Sequence, residues 1–201
     1  MLFRSPLQEK QQDFVKRGMN KIDSLLNLIN DLLDIAKIEA GKYVQHQAPT
    51  DIGKIIEDIV VLMEPRAQKQ GIVLTQLCED LKPVQADPKR IEEIFNNLIS
   101  NAINYSPEGG RVTVSAKGLG EYMEIRVEDT GVGIPSEELP KIFDKFYRVK
   151  NPKTRQVIGT GLGLAIVKGV VDAHQGSIQV ESIPDAGTTF KVLLPVIVAK
   201  G

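Results

Sequence analysis

Residues 7–40 contain no proline and one glycine, Gly18, and their apolar positions repeat with a period that only a continuous helix can use. Val15, Ile22, Ile29 and Ala36 stand seven residues apart, and Met19, Leu25 or Leu26, and Leu32 or Leu33 fill the intermediate positions. A mean spacing of about 3.5 residues lines one side of an α-helix. Gly41 supplies the end signal. A single helix cannot bury such a seam by itself. The pattern therefore predicts a helical bundle or coiled coil, most simply between two chains. The competing arrangement is a helix laid on its own globular domain.

Beyond Gly41 the pattern changes. Residues 43–48 read as a short edge strand and 51–69 as a helix, with Ile52, Ile55, Ile56, Ile59, Val60 and Met63 on one face and Thr50 or Asp51 as its cap. Residues 72–74 and 83–86 read as short strands. Pro88 opens a further helix that carries Ile91, Ile94, Phe95, Leu98, Ile99 and Ala102 inward and ends near Asn104. Residues 112–116 and 123–127 alternate and are joined through Gly118 and Gly120, which predicts a hairpin. A helix near 161–174 and strands near 177–182 and 188–194 follow. Helices alternating with an antiparallel-rich sheet predict a two-layer α/β sandwich.

Composition narrows the class. Apolar residues are 42% and charged residues 25% of the 201, the profile of a folded soluble domain, and no apolar run reaches bilayer length. A membrane span upstream of Met1 in a longer parent stays open. The single cysteine, Cys78, excludes an internal disulfide and a cysteine-based metal cluster, and fits a reducing, cytoplasmic compartment. A net charge of −1 argues against a general nucleic-acid binder.

Three clusters carry chemistry. Asn97 and Asn101 lie four apart, on one face of their helix beside its apolar stripe. Amides placed there serve either an interior hydrogen-bond network or a hard cation such as Mg²⁺, which takes one or two protein oxygens plus phosphate and water. Asp129-Thr130-Gly131-Val132-Gly133 follows a strand: the glycines let backbone approach a flat ligand, and the aspartate can accept from an exocyclic amine such as adenine's. Gly159-Thr160-Gly161-Leu162-Gly163-Leu164 opens a helix whose free amides suit an anion. Its spacing is neither that of the dinucleotide fingerprint nor that of the P-loop. Just upstream stand Lys145, Arg148, Lys150, Lys153 and Arg155, with no acid between Lys145 and Val171. A basic loop beside a glycine-rich helix start predicts a phosphate-covering lid.

In this order the clusters resemble the catalytic, ATP-binding domain of sensor histidine kinases. The asparagine pair is similar to that family's N box, and 129–133 to its first glycine box. Phe143-Asp144-Lys145-Phe146-Tyr147-Arg148 is similar to the phenylalanine box, 159–164 to the second glycine box, and Gly187-Thr188-Thr189-Phe190 to a final strand motif. Residues 28–41 resemble the end of the second helix of the family's dimerisation domain. The resemblance implies a Bergerat-type two-layer α/β fold with a mixed sheet behind a long coiled-coil-like helix. It divides the chain into a partial dimerisation helix, 1–41, and a catalytic domain, 42–201.

It further implies ATP and Mg²⁺ as ligands. Asn101 would bind the metal with Asn97 beside it, Tyr105 would stack on adenine, and Asp129 would accept from its amine. Gly131 and Gly133 would line the pocket, Arg148 would reach the terminal phosphate, and Gly159, Thr160, Gly161, Leu162 and Gly163 would fold over the phosphates. Asn97, Asn101 and Arg148 form the implied catalytic set. Asn104, at the phosphate end, stands where many members carry lysine, so one charge contact is missing or comes from the lid.

The implied reaction moves the γ-phosphoryl of ATP to a histidine, for relay to the receiver domain of a response regulator, in a homodimer joined through the N-terminal helix. The implied acceptor is not in this chain: His46 and His174 lack the acidic and proline residues that follow the family's acceptor, and both read as structural or surface histidines. Arg4-Ser5-Pro6-Leu7 echoes the end of an acceptor segment, so the chain reads as a truncation or junction. Two other functions share the motifs. A clamp or chaperone-like ATPase of the same fold needs a glutamate base where this chain has Asn97, and a pseudokinase would bind nucleotide without transfer.

Overall fold

The computed structural model describes residues 9–41, 46–79, 81, 83–157 and 159–196. The seven-residue seam lies on one helix, α1 (Glu9–Glu39). Leu7, where the helix was expected to begin, lies outside the described residues, as do Arg4-Ser5-Pro6. Val15, Met19, Ile22, Leu25, Leu26, Ile29, Leu32 and Leu33 are all exposed along the seam. The opposite face of the same helix is covered: Ile35 is buried, Leu28 packs against the core, and Ile38 meets Gly169. The two arrangements open at the sequence level thus describe two faces of α1, one laid on the domain and one left bare.

The domain itself runs β1 (Ala48–Thr50), α2 (Ile52–Lys69), β2 (Ile72–Glu79), β3 (Val84–Ala86), α3 (Pro88–Asn104), β4 (Gly110–Leu119), β5 (Tyr122–Asp129), α4 (Gly163–Ala173), β6 (Ser177–Ile183) and β7 (Gly187–Pro195). The edge strand expected at 43–48 is found at 48–50, where it pairs antiparallel with β3; residues 43–45 lie outside the described residues. Thr50 explains the shift: its buried hydroxyl donates to the carbonyls of Ala48 and Ala86, at 2.9 and 3.0 Å, and locks this short ladder. Asp51 caps α2 by accepting from the amide of Lys54.

The main sheet has the order β2-β4-β5-β7-β6, with β2 parallel to β4 and every other pair antiparallel. The expected mixed sheet and the 4–5 hairpin are both present. Helices α2, α3 and α4 cover one face. Val112, Val114, Ile125, Val127, Phe190 and Val192 meet Ile56, Ile94, Leu98, Ile166 and Val170 in a single core. Period-two strands and period-3.6 helices each offer one apolar face, and stacking them is the two-layer solution.

The outer face of the sheet buries a charge. Glu124 is 2% exposed and is ringed by Arg126 at 2.8 Å, Lys191 at 2.9 Å and Lys117 at 3.5 Å. The hydrogen bonds from Arg126 and then Lys191 outweigh desolvation and hold its carboxyl at about 2, below the ordinary 4.5. A depressed carboxylate contributes stability that is complete above about 4.5 and is lost as pH falls toward 2. The three cations are partly solvated, so Glu124→Gln is expected to cost about 1–2 kcal/mol at pH 7. Urea unfolding of both proteins should show that gap, and the gap should shrink by pH 3.

Candidate functional site

Helix α3 sets the site because its sequence divides it lengthwise. Asp87 caps it, accepting from the amides of Lys89 at 3.1 Å and His46 at 3.0 Å. Pro88 starts it, and the buried stripe from Ile91 to Ile103 fixes its rotation. Asn97, Ser100, Asn101 and Asn104 are thereby turned along a groove. The Asn97 amide donates to the carbonyl of Glu93 at 3.0 Å. A Cβ on Gly163 would come within 2.5 Å of Asn97 Oδ1, so a larger residue there would displace the Asn97 carboxamide. Among the described residues no group hydrogen-bonds the Asn101 carboxamide.

Tyr105 ends α3, and its carbonyl accepts from the amide of Val132 at 3.0 Å, which ties the first glycine box to the helix end. Asp129 lies at the last position of β5 and is buried. Its Oδ1 accepts from the Gly131 amide at 2.9 Å, and the Thr188 amide also donates to it. Burial dominates over both bonds and pushes its carboxyl up to about 6.

These residues surround a groove of two joined compartments. One is mainly apolar, walled by Ala102, Val132, Ile134, Ile142, Val149 and Phe190, with Gly133, Asp129 and Thr188 also lining it. The other is polar and holds Asn97, Ser100, Asn104, Gly159, Thr160, Gly161 and Gly163. Asn101, Tyr105, Tyr147, Arg148 and Leu164 line both. An apolar slot ending in a buried carboxylate, continuous with a polar chamber at a helix start, suits a flat heterocycle bearing a phosphate tail.

The segment from the phenylalanine box to α4 forms the outer wall. Arg148 donates to the carbonyls of Val157 at 2.6 Å and Gly159 at 3.2 Å, so its guanidinium braces the approach to the second glycine box. The helix expected from 161 begins at Gly163, because Gly161 takes φ +73°, a left-handed conformation outside the helix. Gly131 and Leu162 do not line the groove. Gly131 stands behind it, beside Tyr105 and Ser106, and the Leu162 side chain is fully buried in the core while its amide donates to Thr160 Oγ1 at 3.2 Å.

The basic loop is less positive than its sequence. Lys145 pairs with Glu39, and Lys153 pairs with Asp185 at 3.0 Å and Glu108 at 3.4 Å. The 152–154 stretch makes a short turn with Thr154 buried; Ile158 lies outside the described residues. His174 is held at both ring nitrogens, Nδ1 toward the Val170 carbonyl at 2.8 Å and Nε2 accepting from the Asp87 amide at 3.3 Å. It joins the end of α4 to the start of α3.

Some groove residues had no sequence signal. Asn27 and Asp31 of α1 line the polar compartment, and Asp31 accepts from Thr160 Oγ1 at 3.0 Å. Desolvation raises the Asp31 carboxyl above its ordinary value, against the Thr160 bond. Thr188 stood inside a recognised motif and could have been singled out. The α1 residues could not, because nothing local says which face of α1 meets the domain.

Residues 86–197 match the family described as histidine kinase-, DNA gyrase B-, and HSP90-like ATPase, and the chain belongs to it. These residues are the ATP-binding catalytic domain found in sensor histidine kinases. The chain is 37% identical over 193 residues to the circadian input-output histidine kinase CikA of Synechococcus elongatus, covering 94% of this chain and 26% of that protein. It is 37% identical over 184 residues to the sensor histidine kinase WalK of Bacillus subtilis, covering 90% of this chain and 30% of that one. Among solved structures, full-length ShkA in complex with AMPPNP superposes with a TM-score of 0.83 at 29% identity, covering 98% of this chain and 41% of ShkA. The histidine kinase AdeS of Acinetobacter baumannii gives 0.79 at 25% identity, covering 96% of this chain and 88% of that structure. The chain thus spans under a third of the length of the two sequence relatives. No helix among the described residues is long and apolar enough to cross a membrane.

Proposed function

We propose that this chain is the catalytic core of a sensor histidine kinase, which binds ATP with Mg²⁺ in the two-compartment groove and passes the γ-phosphoryl to a histidine nitrogen on a dimerisation helix. The phosphoryl group is then relayed to the receiver domain of a response regulator. The observation that carries this reading is the pairing of Asp129, buried under the apolar slot, with an unengaged Asn101 where slot and polar chamber meet. Adenine occupies the slot against Tyr105, with its amine on Asp129, which the Gly131 amide holds from behind, and with the backbone of Gly133 alongside. Arg148 turns from its carbonyl partners to the terminal phosphate, and residues 159–163 close over the chain of phosphates.

The donor set fits Mg²⁺. A carboxamide oxygen is a hard ligand, Asn101 has no hydrogen-bond partner among the described residues, and Asn97 presents Oδ1 where Gly163 leaves room. When bound, the metal neutralises charge on the phosphates, and the protein's own share is positioning and charge stabilisation. Residues 1–41 are a partial dimerisation element and 42–201 the catalytic domain. The bare seam of α1 supports a homodimer, and the exposed thiol of Cys78 suits the cytoplasm.

The test supplies [γ-³²P]ATP together with a relative's dimerisation domain bearing its acceptor histidine. Acid-labile, base-stable label is expected on that domain. Release of inorganic phosphate with no label would favour a clamp-like ATPase, and bound but unreacted ATP would favour a pseudokinase; either outcome ends the kinase reading.

A further inference from the structure

The polar compartment is poorly supplied with positive charge for a site that receives a triphosphate. Of the nearby cations, Lys145 is paired with Glu39 and Lys153 with Glu108 and Asp185, which leaves Arg148, held by two neutral carbonyls, for the terminal phosphate. Asp31 adds a carboxylate to the same chamber. A further cation stands beside it, bonded only to neutral groups. Arg66, in the last turn of α2, donates from Nη2 to Asn104 Oδ1 at 2.5 Å and reaches Ser100 Oγ from Nη1 at 3.5 Å. Asn104 in turn donates to Ser100 Oγ at 3.4 Å. Ser100 and Asn104 both line the compartment, as does Met63 one turn before Arg66 on α2, and the exposed Arg66 reaches the compartment through its bonds to Asn104 and Ser100. Among the described residues no carboxylate pairs with Arg66.

We propose that Arg66 is a phosphate-binding residue of this site, held at the rim by Asn104 and Ser100 and drawn onto the outer phosphates of a nucleotide. This rests on the nucleotide-site reading above. A guanidinium whose partners are a neutral amide and a hydroxyl keeps its full charge and five donors. Charge-assisted bonds to phosphate are stronger than bonds to an amide, so a polyphosphate outcompetes Asn104 for it. Sequence alone could not identify it, since 38 residues separate Arg66 from Asn104. The consequence is selectivity by tail length: Arg66 favours ATP over AMP and adds nothing to recognition of adenine.

Calorimetry on the full chain with ATP and with AMP, in the presence of magnesium, tests this. Arg66→Gln is expected to weaken ATP about tenfold, to leave AMP unchanged, and to flatten the salt dependence of ATP binding. The double variant Arg66→Gln with Asn104→Lys, which returns a cation to the chamber wall, should recover most of the loss. An unchanged ratio of ATP to AMP affinity in Arg66→Gln would overturn the assignment. So would an equal loss of both ligands with a lowered melting temperature, which would make Arg66 only a tie between α2 and α3. Failure of the unaltered chain to bind either nucleotide would instead remove the site reading itself, and this inference with it.

Discussion

Asp129→Asn is expected to lower ATP affinity by about a hundredfold or more while leaving GTP little changed. The carboxylate of Asp129 accepts on every side: from the Gly131 amide, from the Thr188 amide and, in the proposed complex, from the adenine amine. An asparagine offers one accepting oxygen and one donating nitrogen. Whichever way the amide turns, a donor faces a donor, either a buried backbone N–H or the adenine amine, and that mismatch is costly out of water. Guanine carries a carbonyl where adenine carries the amine, so the variant's amide suits it better.

The pH dependence gives a second readout of the same pocket. Burial pushes the Asp129 carboxyl up to about 6, so the accepting, ionised form is the minor one at pH 5 and predominates at pH 7.5. ATP affinity of the unaltered chain should fall as pH drops through about 6, and the variant should show no such dependence. The sign for stability is opposite. The folded state keeps this proton to higher pH than the unfolded chain, so the group's contribution is greatest below 3.8 and is lost as pH rises through about 6. Charge loss at Asp129 therefore does not itself destabilise the fold at neutral pH. Calorimetric ATP affinity that is the same in both proteins at pH 7.5 would remove Asp129 from the adenine pocket.

What could be read in advance follows from the range of the forces involved. The α3 stripe, the β4–β5 hairpin and the sheet composition rest on periodicity and local turn chemistry, and all three were legible. So was the grouping of Asn101, Tyr105, Asp129 and the second glycine box around one groove, because their motifs place each at the end of an element. The position of β1 was not, since it depends on Thr50 bonding across to Ala86, 36 residues away. The ion pairs that offset part of the charge of the 145–155 loop are hidden for the same reason: Glu39, Glu108 and Asp185 come from three distant segments. Leu162, inside a glycine box, turned inward because α4 needs an apolar residue at its start to join the core. The docking of α1 was hidden most thoroughly. It depends on Gly169, where a Cβ would lie 2.8 Å from Ile38 Cδ1, and a lone glycine inside a helix carries no such message.

Asn101→Ala is expected to remove the tightening of ATP binding by Mg²⁺, about a hundredfold at saturating metal, while leaving the melting temperature unchanged. The two halves of that statement have one cause. Among the described residues nothing hydrogen-bonds the Asn101 carboxamide, so truncating it strands no buried partner. Its helix position is kept by Leu98 and Ala102, which stay buried beside it. A polar side chain that sits between an apolar slot and a polar chamber, with no hydrogen-bond partner among the described residues, is accounted for by the proposed ligand. Asn97 differs. Its amide is bonded to the Glu93 carbonyl and its oxygen faces Gly163, so Asn97→Ala should disturb both the fold and the site. Titrations of ATP with Mg²⁺ and with a chelator separate the cases: in Asn101→Ala the two isotherms should coincide, and in Asn97→Ala a reduced gap should persist beside a lower melting temperature. A full Mg²⁺ effect surviving in Asn101→Ala would place the metal elsewhere and leave the unengaged amide without a purpose.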